Sequence, residues 1–275
     1  MDRGIEYPGG NCVNFAVYAR QLGAEAAYLG VFGDDEPGRF VRSCIEAAGV
    51  GTAECEIRPG PNGLTEIQTV AGDRRFVRWN GGGVTASDPV RLHGLDYVAT
   101  FDHVHSSVYS AVEPELRTLR QTRGLVSFDF STEEEFRTDD YLGEVCPAID
   151  LALVSCGELD QQRLWSELRR FRSHGAALVL GTLGERGSVL FDGRKFFHSR
   201  AAPVAGTFVD TMGCGDAYLA AFVVEMLDGG WRRDILPGTS LIHRSMKRAA
   251  RFAARQCTVD GAFGFGRQVT PEPAA

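Results

Sequence analysis

No stretch of this 275-residue chain approaches the uninterrupted apolar length that a membrane-crossing helix needs, and the opening MDRGIEYPGG lacks the apolar core of a signal peptide. The expected compartment is the cytoplasm. A formal charge of -7, spread without a basic stripe, leaves no electrostatic footprint for nucleic acid or for an anionic membrane surface. A small-molecule ligand is the default. The seven cysteines (Cys12, Cys44, Cys55, Cys146, Cys156, Cys214 and Cys257) are scattered, with no Cys-x-x-Cys and no Cys/His spacing suited to zinc or redox chemistry. They read as reduced thiols, mostly in the core. The P-loop pattern Gly-x-x-x-x-Gly-Lys-Ser/Thr is absent, as is Gly-x-Gly-x-x-Gly, which disfavours P-loop NTPases and classical dinucleotide dehydrogenases.

What is present is enough apolar sequence, 44% of residues, for one large domain with a sizeable core. NFAVYARQLG has helical spacing and ends at Gly23; AAYLGVFG reads as a short strand, and GRFVRSCIEAAGV as a helix closing at Gly49. This is the alternation of a parallel α/β sheet. The pattern then changes: AECEIRP, GLTEIQTVA and RRFVRWN are short β-type runs split by turns. The expected organisation is an α/β core over residues 1–52 and 81–275, interrupted at 53–80 by a β-rich insertion that serves as a lid or dimerisation flap. Strands are expected near 125–129, 150–154 and 176–181, a hairpin over GSVLFDG and RKFFHS, and helices near 215–228 and 239–256.

Residues 207–222 read TFVDTMGCGDAYLAAF. Glycines let a backbone approach a ligand closely, and the first N–H groups of a helix have no partner inside it. Gly213, Cys214 and Gly215 can therefore form an anion hole, strengthened by the helix dipole, with Asp216 beside it. A carboxylate there is repelled by a phosphate, yet it is useful if it removes a proton from a hydroxyl attacking that phosphate. The arrangement suits phosphoryl transfer. A Gly-rich turn with Asp216 as an ordinary helix-start residue uses the same letters. TLGERGS, after the strand ALVLG, sets Gly184 and Gly187 around a turn of the kind that also merely links strands.

DTMGCGD resembles the Asp-Thr-x-Gly-Ala-Gly-Asp signature of the ribokinase (PfkB) family of carbohydrate kinases, with Cys214 where alanine is usual. GGNCVNFAVYARQLG is similar to that family's N-terminal signature, LGVFGDDEPGRF to its Gly-Asp-Asp-x-x-Gly element, and TLGERGS to the turn that supports the nucleotide. The likeness runs from Pro8 to about Gly266. It implies an α/β, ribokinase-like three-layer sandwich with a mainly parallel central sheet and a small β lid, using ATP and Mg2+ to phosphorylate a primary hydroxyl of a ketose-type sugar. Within the family, DHVHSSVYS, VSFDFS and TLGERGSVLFDG are most similar to members that act on fructoselysine, whereas many others carry an Asp-x-Asn-x-Arg strand end where this chain has FDFSTEEEF. Fructoselysine, phosphorylated at its 6-hydroxyl, is the first expected acceptor. Another ribokinase-like sugar or nucleoside kinase, or a catalytically silent sugar-binding homologue, remains open.

The resemblance implies roles residue by residue. Asp216 is the expected catalytic base, with Gly213, Cys214 and Gly215 as its anion hole. Gly9, Gly10, Asn11 and Asn14 are expected to contact sugar hydroxyls, with Asp35 and Gly38 shaping the same site and His105 and Tyr109 lining it. Thr182, Gly184, Gly187, Gly261 and Gly264 are expected around the nucleotide. Glu158, in SCGE, is the expected magnesium ligand through water, or else a solvated residue at a helix start. Asp210 is expected to steady the loop and to be the candidate for a monovalent cation. The acidic run Glu133, Glu134 and Glu135 either attracts an ammonium-bearing acceptor or forms a solvated helix start. A homodimer through the β lid is the expected assembly. Family members normally begin with a strand carrying a substrate-binding aspartate, and only MDRGIEYP precedes the glycines; the expectation is a native start upstream of Met1.

Overall fold

LVSFD, LALVS and LVLGT are too short to make stable helices and too continuously apolar for a sheet with one wet face, so they fold as parallel strands covered on both sides. A computed structural model describes residues 4–70, 73–86 and 95–269. Its elements, in chain order, are β1 (Ile5–Glu6), α1 (Asn11–Gln21), β2 (Val31–Gly33), α2 (Glu36–Ala47), β3 (Glu56–Arg58), β4 (Thr65–Val70), β5 (Asp73–Trp79), α3 (Leu95–Val98), β6 (His103–Ser107) and α4 (Glu113–Leu119). Then follow β7 (Leu125–Asp129), α5 (Asp139–Val145), β8 (Leu151–Ser155), α6 (Gln161–Ser173), β9 (Leu178–Thr182), β10 (Ser188–Phe191), β11 (Phe196–Ser199), α7 (Cys214–Asp228), α8 (Thr239–Gln256) and β12 (Arg267–Gln268).

The central sheet has the order β11-β10-β9-β8-β7-β6, parallel from β6 to β9 and closed at the other edge by the antiparallel hairpin β10–β11. Successive side chains of a strand face opposite ways, and here that alternation divides two cores. Leu151 and Leu153 of β8 pack with α1, α7 and α8, while Ala152 and Val154 pack with α4, α5 and α6. The result is a three-layer sandwich. Helix α7 is apolar almost all round because it lies between α1, α8 and the sheet, and its residues from Asp216 to Met226 are buried.

At the N-terminal edge of the strands, Asp150 is 1% exposed and is held by Arg120, by both oxygens from Arg233 Nε at 3.2 Å, and by the Val126 N–H at 2.8 Å. Arg233 also donates to the carbonyls of Arg120, Thr122 and Gly124. This fastens the chain after α7 beneath the sheet, leaving the opposite edge for chemistry.

One expectation is altered: the strand in AAYLGVFG contracts to β2, with only an isolated bridge at Ala27. Within the β-rich segment at 53–80, β3 pairs in parallel with β2, and β4–β5 form a separate antiparallel hairpin with a register shift between Glu66 and Ile67. A three-residue strand has too little alternation to reveal its partner. Strand β1 pairs with β12, and Arg267 joins the two ends through Glu6 and Glu36. No helix of the described residues is long and apolar enough to cross a membrane.

Candidate active site

Ser107, Asp129, Ser155 and Thr182 end the four parallel strands on one side of the sheet, the side where open α/β sheets place their ligands. The N-termini of α1 and α7 bring side chains to that side. Asn11 and Asn14 sit three apart in the first turn of α1, a spacing that puts both on one face. Asn14 Nδ2 donates to Asp216 Oδ2 at 2.7 Å, and Asn11 Nδ2 approaches Asp129 Oδ2 at 3.5 Å. Asn11 Oδ1 accepts from Ser107 Oγ at 3.0 Å, which fixes its amide orientation. The cluster thus joins four of the expected parts of the chain: the glycine-led helix, β6, β7 and the glycine turn before α7.

Asp216 is 9% exposed. Burial pushes its carboxyl up to about 8, the charge of Asp129 adds to the rise, and the hydrogen bond from Asn14 opposes it. Asp129 is itself raised by burial, against hydrogen bonds from the Ser131 N–H and Asn11. Two neighbouring buried carboxyls resist double ionisation, so the Asp216 carboxylate, once formed, is a stronger base than an ordinary carboxylate.

Gly213 caps α7 with φ 71°, and a Cβ there would lie 2.5 Å from Tyr18 Oη, so only glycine fits. Tyr18 donates onward to the Ala262 carbonyl. The loop before the cap is held by the Cys257 carbonyl, which accepts from the N–H groups of Val209 at 2.8 Å and Asp210 at 3.2 Å. Asp210 Oδ1 accepts from the Met212 N–H at 3.0 Å. Cys214 turns its N–H back to the Thr211 carbonyl at 3.1 Å. Gly215 differs: its N–H has no partner among the described residues, and a Cβ there would meet nothing within 4 Å. The N-terminus of α7 is therefore more open at Gly215 than at Cys214. Cys214 Sγ lies 3.3 Å from Cys257 Sγ.

Gly9 and Gly10 face open space, and Gly10, with φ 108°, caps α1 while its carbonyl accepts from the Asn14 N–H at 2.8 Å. Of the residues expected around the nucleotide, Thr182 ends β9, and Gly184 and Gly264 have positive φ with open space beside them. Gly187 and Gly261 are packing glycines: a Cβ would lie 2.1 Å from the Ser199 carbonyl oxygen at the first and 2.5 Å from the Tyr7 ring at the second. A cleft of about 480 Å³, lined by residues including Arg200, His243, Lys247 and Arg251, adjoins the Gly187 crossing. Open glycines, an unpartnered helix-terminal N–H and this basic cleft suit a nucleoside triphosphate.

The remaining expected residues have surroundings of their own. Asp35 caps α2, accepting from the N–H groups of Gly38 at 2.9 Å and Asn62 at 2.9 Å, so both carboxylate oxygens bind backbone. Gly38 is fixed by packing, since a Cβ would lie 2.1 Å from the Gly33 carbonyl oxygen. His105 lies inside β6 rather than at its end; it stacks on Phe15 at 4.4 Å and meets Ser127 Oγ at 2.9 Å, and burial pushes its ring down to about 3, so it is neutral. Tyr109 lies past the strand end, 58% exposed, with its hydroxyl 2.8 Å from Ser131 Oγ. Glu158 is exposed in the turn after β8. No group of three or more His, Cys, Asp or Glu among the described residues forms a metal cage. That donor set fits magnesium carried chiefly by phosphate and water, with one protein carboxylate near it. The residue that the expectations missed is Asp129; its only signal was its position, the last residue of an apolar parallel strand.

The family profile of the pfkB family carbohydrate kinases matches residues 2–262. The chain is 34% identical over 271 residues to the fructosamine kinase FrlD of Bacillus subtilis (strain 168), covering 97% of this chain and 89% of that one. It is 30% identical over 218 residues to the fructoselysine 6-kinase of Escherichia coli (strain K12), covering 79% and 80% of the two chains. Among solved structures it resembles a putative ribokinase II from E. coli in complex with ATP and Mg2+, with a TM-score of 0.75 at 21% identity over 93% of this chain and 84% of that one. It also resembles the aminoimidazole riboside kinase of Salmonella enterica complexed with aminoimidazole riboside and an ATP analog, with a TM-score of 0.71 at 20% identity over 92% and 86%. This chain belongs to the pfkB family of carbohydrate kinases and is an ATP-dependent sugar kinase.

Proposed function

We propose that the enzyme transfers the γ-phosphoryl group of ATP to the 6-hydroxyl of an amine-substituted ketose, with fructoselysine as its first candidate substrate and fructoselysine 6-phosphate as product. The observation that carries this reading is a buried carboxylate, Asp216, oriented by Asn14 beside the open N-terminus of α7. Relatives named as fructosamine and fructoselysine kinases, at 34% and 30% identity, support the choice of acceptor.

In this reading the acceptor is held by Asn11, Asn14 and the backbone at Gly9 and Gly10, with its primary hydroxyl against Asp216. Asp216 removes the hydroxyl proton as the oxygen attacks the γ-phosphorus, and the bond to the β–γ bridging oxygen breaks to release ADP. The Gly215 N–H and the α7 dipole meet the charge on the equatorial oxygens. Magnesium bound with the nucleotide offsets phosphate charge, and Glu158 is its proposed protein ligand through water. Asp210 is the proposed neighbour of a monovalent cation. Thr182, Gly184 and Gly264 contact the nucleotide, while Gly187 and Gly261 keep the surrounding backbone close.

We also assign the β4–β5 hairpin to a homodimer contact. Val77 and Trp79 of β5 are 52% and 68% exposed, large apolar side chains on one hairpin strand. Light scattering of the wild type and of Trp79→Arg tests this; a wild-type monomer contradicts it.

The substrate assignment is tested by steady-state kinetics with fructoselysine, fructose and ribose under saturating ATP. A higher kcat/KM for fructoselysine is expected. Equal or reversed efficiencies overturn the acceptor and leave the kinase intact.

A further inference from the structure

A closed ring of hydrogen bonds leads from the acceptor cluster to Glu133. Ser107 Oγ donates to Asn11 Oδ1 at 3.0 Å and accepts from the Tyr109 N–H at 3.2 Å. Tyr109 donates its single hydroxyl proton to Glu133 Oε1 at 3.0 Å, which leaves Ser131 Oγ, 2.8 Å from the Tyr109 hydroxyl oxygen, as donor to that oxygen. The Ser131 N–H returns to Asp129 Oδ1 at 2.8 Å, and Asp129 meets Asn11 again. Ser131 adopts a left-handed φ of 51°, a conformation that non-glycine residues take up only where surrounding contacts hold them. Here those contacts aim the Ser131 hydroxyl and the following turn at Tyr109.

The ring is built, but its outer carboxylate has no ion-pair partner: no lysine or arginine among the described residues lies within ion-pair distance of Glu133. The cation nearest in sequence, Arg137, directs a terminal nitrogen to the carbonyls of Ser131 and Ser155. On the inner side, Asp129 is 92% buried and takes its hydrogen bonds from neutral donors, the Ser131 N–H and Asn11, while the Arg137 charge favours its ionised form. A second observation points to a ligand beside the same cluster: Asn14 is 5% exposed, and its Oδ1 has no partner although its Nδ2 is bound to Asp216. A buried carbonyl oxygen without a donor is costly unless something supplies one, and a sugar hydroxyl does so.

We propose that Glu133, positioned by Tyr109, is the residue that selects acceptors carrying a cationic substituent, the ammonium of an amine-substituted ketose, over neutral ketoses. The assignment rests on the acceptor reading above. Sugar hydroxyls are met by neutral amides deep in the cleft; the substituent leaves by the Tyr109 side, where a half-buried carboxylate is held by one hydroxyl and lacks a counter-charge. A charge-assisted hydrogen bond in that position adds binding for the ammonium and none for a neutral hydroxymethyl group. Tyr109 is a positioning residue: its phenol fixes the carboxylate at the rim, and its ring walls the exit. Glu134 and Glu135, exposed and without such a tie, carry no part of the selection.

The test is a KM-against-kcat comparison of the full-length wild type, Glu133→Gln, Tyr109→Phe and Glu135→Gln, each with fructoselysine and with fructose at saturating ATP. Glu133→Gln is expected to raise KM for fructoselysine about tenfold, to leave KM for fructose unchanged, and to keep both kcat values within about twofold. Tyr109→Phe is expected to move in the same direction by a smaller factor, and Glu135→Gln to match the wild type. An unchanged KM for fructoselysine in Glu133→Gln overturns the assignment, as does an equal rise for both sugars, which marks a structural role. If the wild type does not discriminate between the two sugars, the acceptor reading itself fails; if it discriminates and Glu133→Gln discriminates equally, only the role of Glu133 fails.

Discussion

The Asn14 amide reaches across 202 positions of sequence to donate to Asp216 at 2.7 Å. The contact decides how basic Asp216 is, because it is the one interaction that lowers a carboxyl otherwise raised by burial and by Asp129. Replacing Asn14 with Leu removes the donor. The expected outcome is a further rise in the Asp216 pKa and a kcat/KM at pH 7 reduced about tenfold or more. A pH-rate profile of the variant superimposable on that of the wild type contradicts this.

In the wild type, Asp216 must be ionised to accept a proton and titrates at about 8. Acceptor kcat/KM is expected to climb with pH from 6 and to level above about 8. The same shift has a sign for stability. Between the ordinary value of 3.8 and about 8 the folded chain holds a proton that the unfolded chain has lost, so this group's contribution to stability falls as pH rises through that window. Urea titrations at pH 5.5 and 8.5 on wild type and Asp216→Asn isolate it: the variant loses less stability across the interval. Identical pH dependence in the two proteins rules out the shift.

Cys214 and Cys257 lie side by side, partly exposed. Alkylation of Cys214 with iodoacetamide is expected to inactivate the enzyme, bound ATP to slow the loss, and Cys214→Ala to be active and resistant. Equal sensitivity of Cys214→Ala and wild type refutes the placement of this thiol at the nucleotide site.

The buried ion hub predicts a stability effect without a catalytic one. Arg233→Ala leaves Asp150 with one cation fewer and three carbonyls without their donor, a loss of about 3 kcal/mol. For a chain of this size that corresponds to a fall in Tm of roughly 6 to 12 °C. Because the hub sits at the edge of the sheet opposite the chemistry, kcat is expected to stay within about twofold at 20 °C. A Tm within about 1 °C of wild type contradicts the hub's role.

How much of this was legible in the sequence follows from how local each signal is. The strand at 125–129, the helices over α7 and α8 and the β10–β11 hairpin were readable because apolar run length and turn residues are local. Asp216 and Asn14 were readable because fixed motifs surround them. Asp129 was not, since a carboxylate at a strand end gains its meaning from Asn11, 118 positions away. The glycines show a subtler limit. Gly9 and Gly215 face open space, whereas Gly38 and Gly187 each admit a backbone oxygen 2.1 Å from where a Cβ would stand. A sequence writes both kinds with the same letter. His105 shows the same limit: a histidine on a strand does not announce that it stacks on the ring of Phe15.

Asp216 is the proposed general base, and Asp216→Asn probes that role most directly because asparagine keeps size and capping ability while removing the basic carboxylate. The measurement is kcat for ATP-dependent phosphorylation of fructoselysine, with ATP affinity and Tm recorded alongside. The predicted result is a fall in kcat of about two or more orders of magnitude, with ATP affinity and Tm at or above wild-type values. Turnover near that of the wild type in a folded, ATP-binding Asp216→Asn contradicts the mechanism.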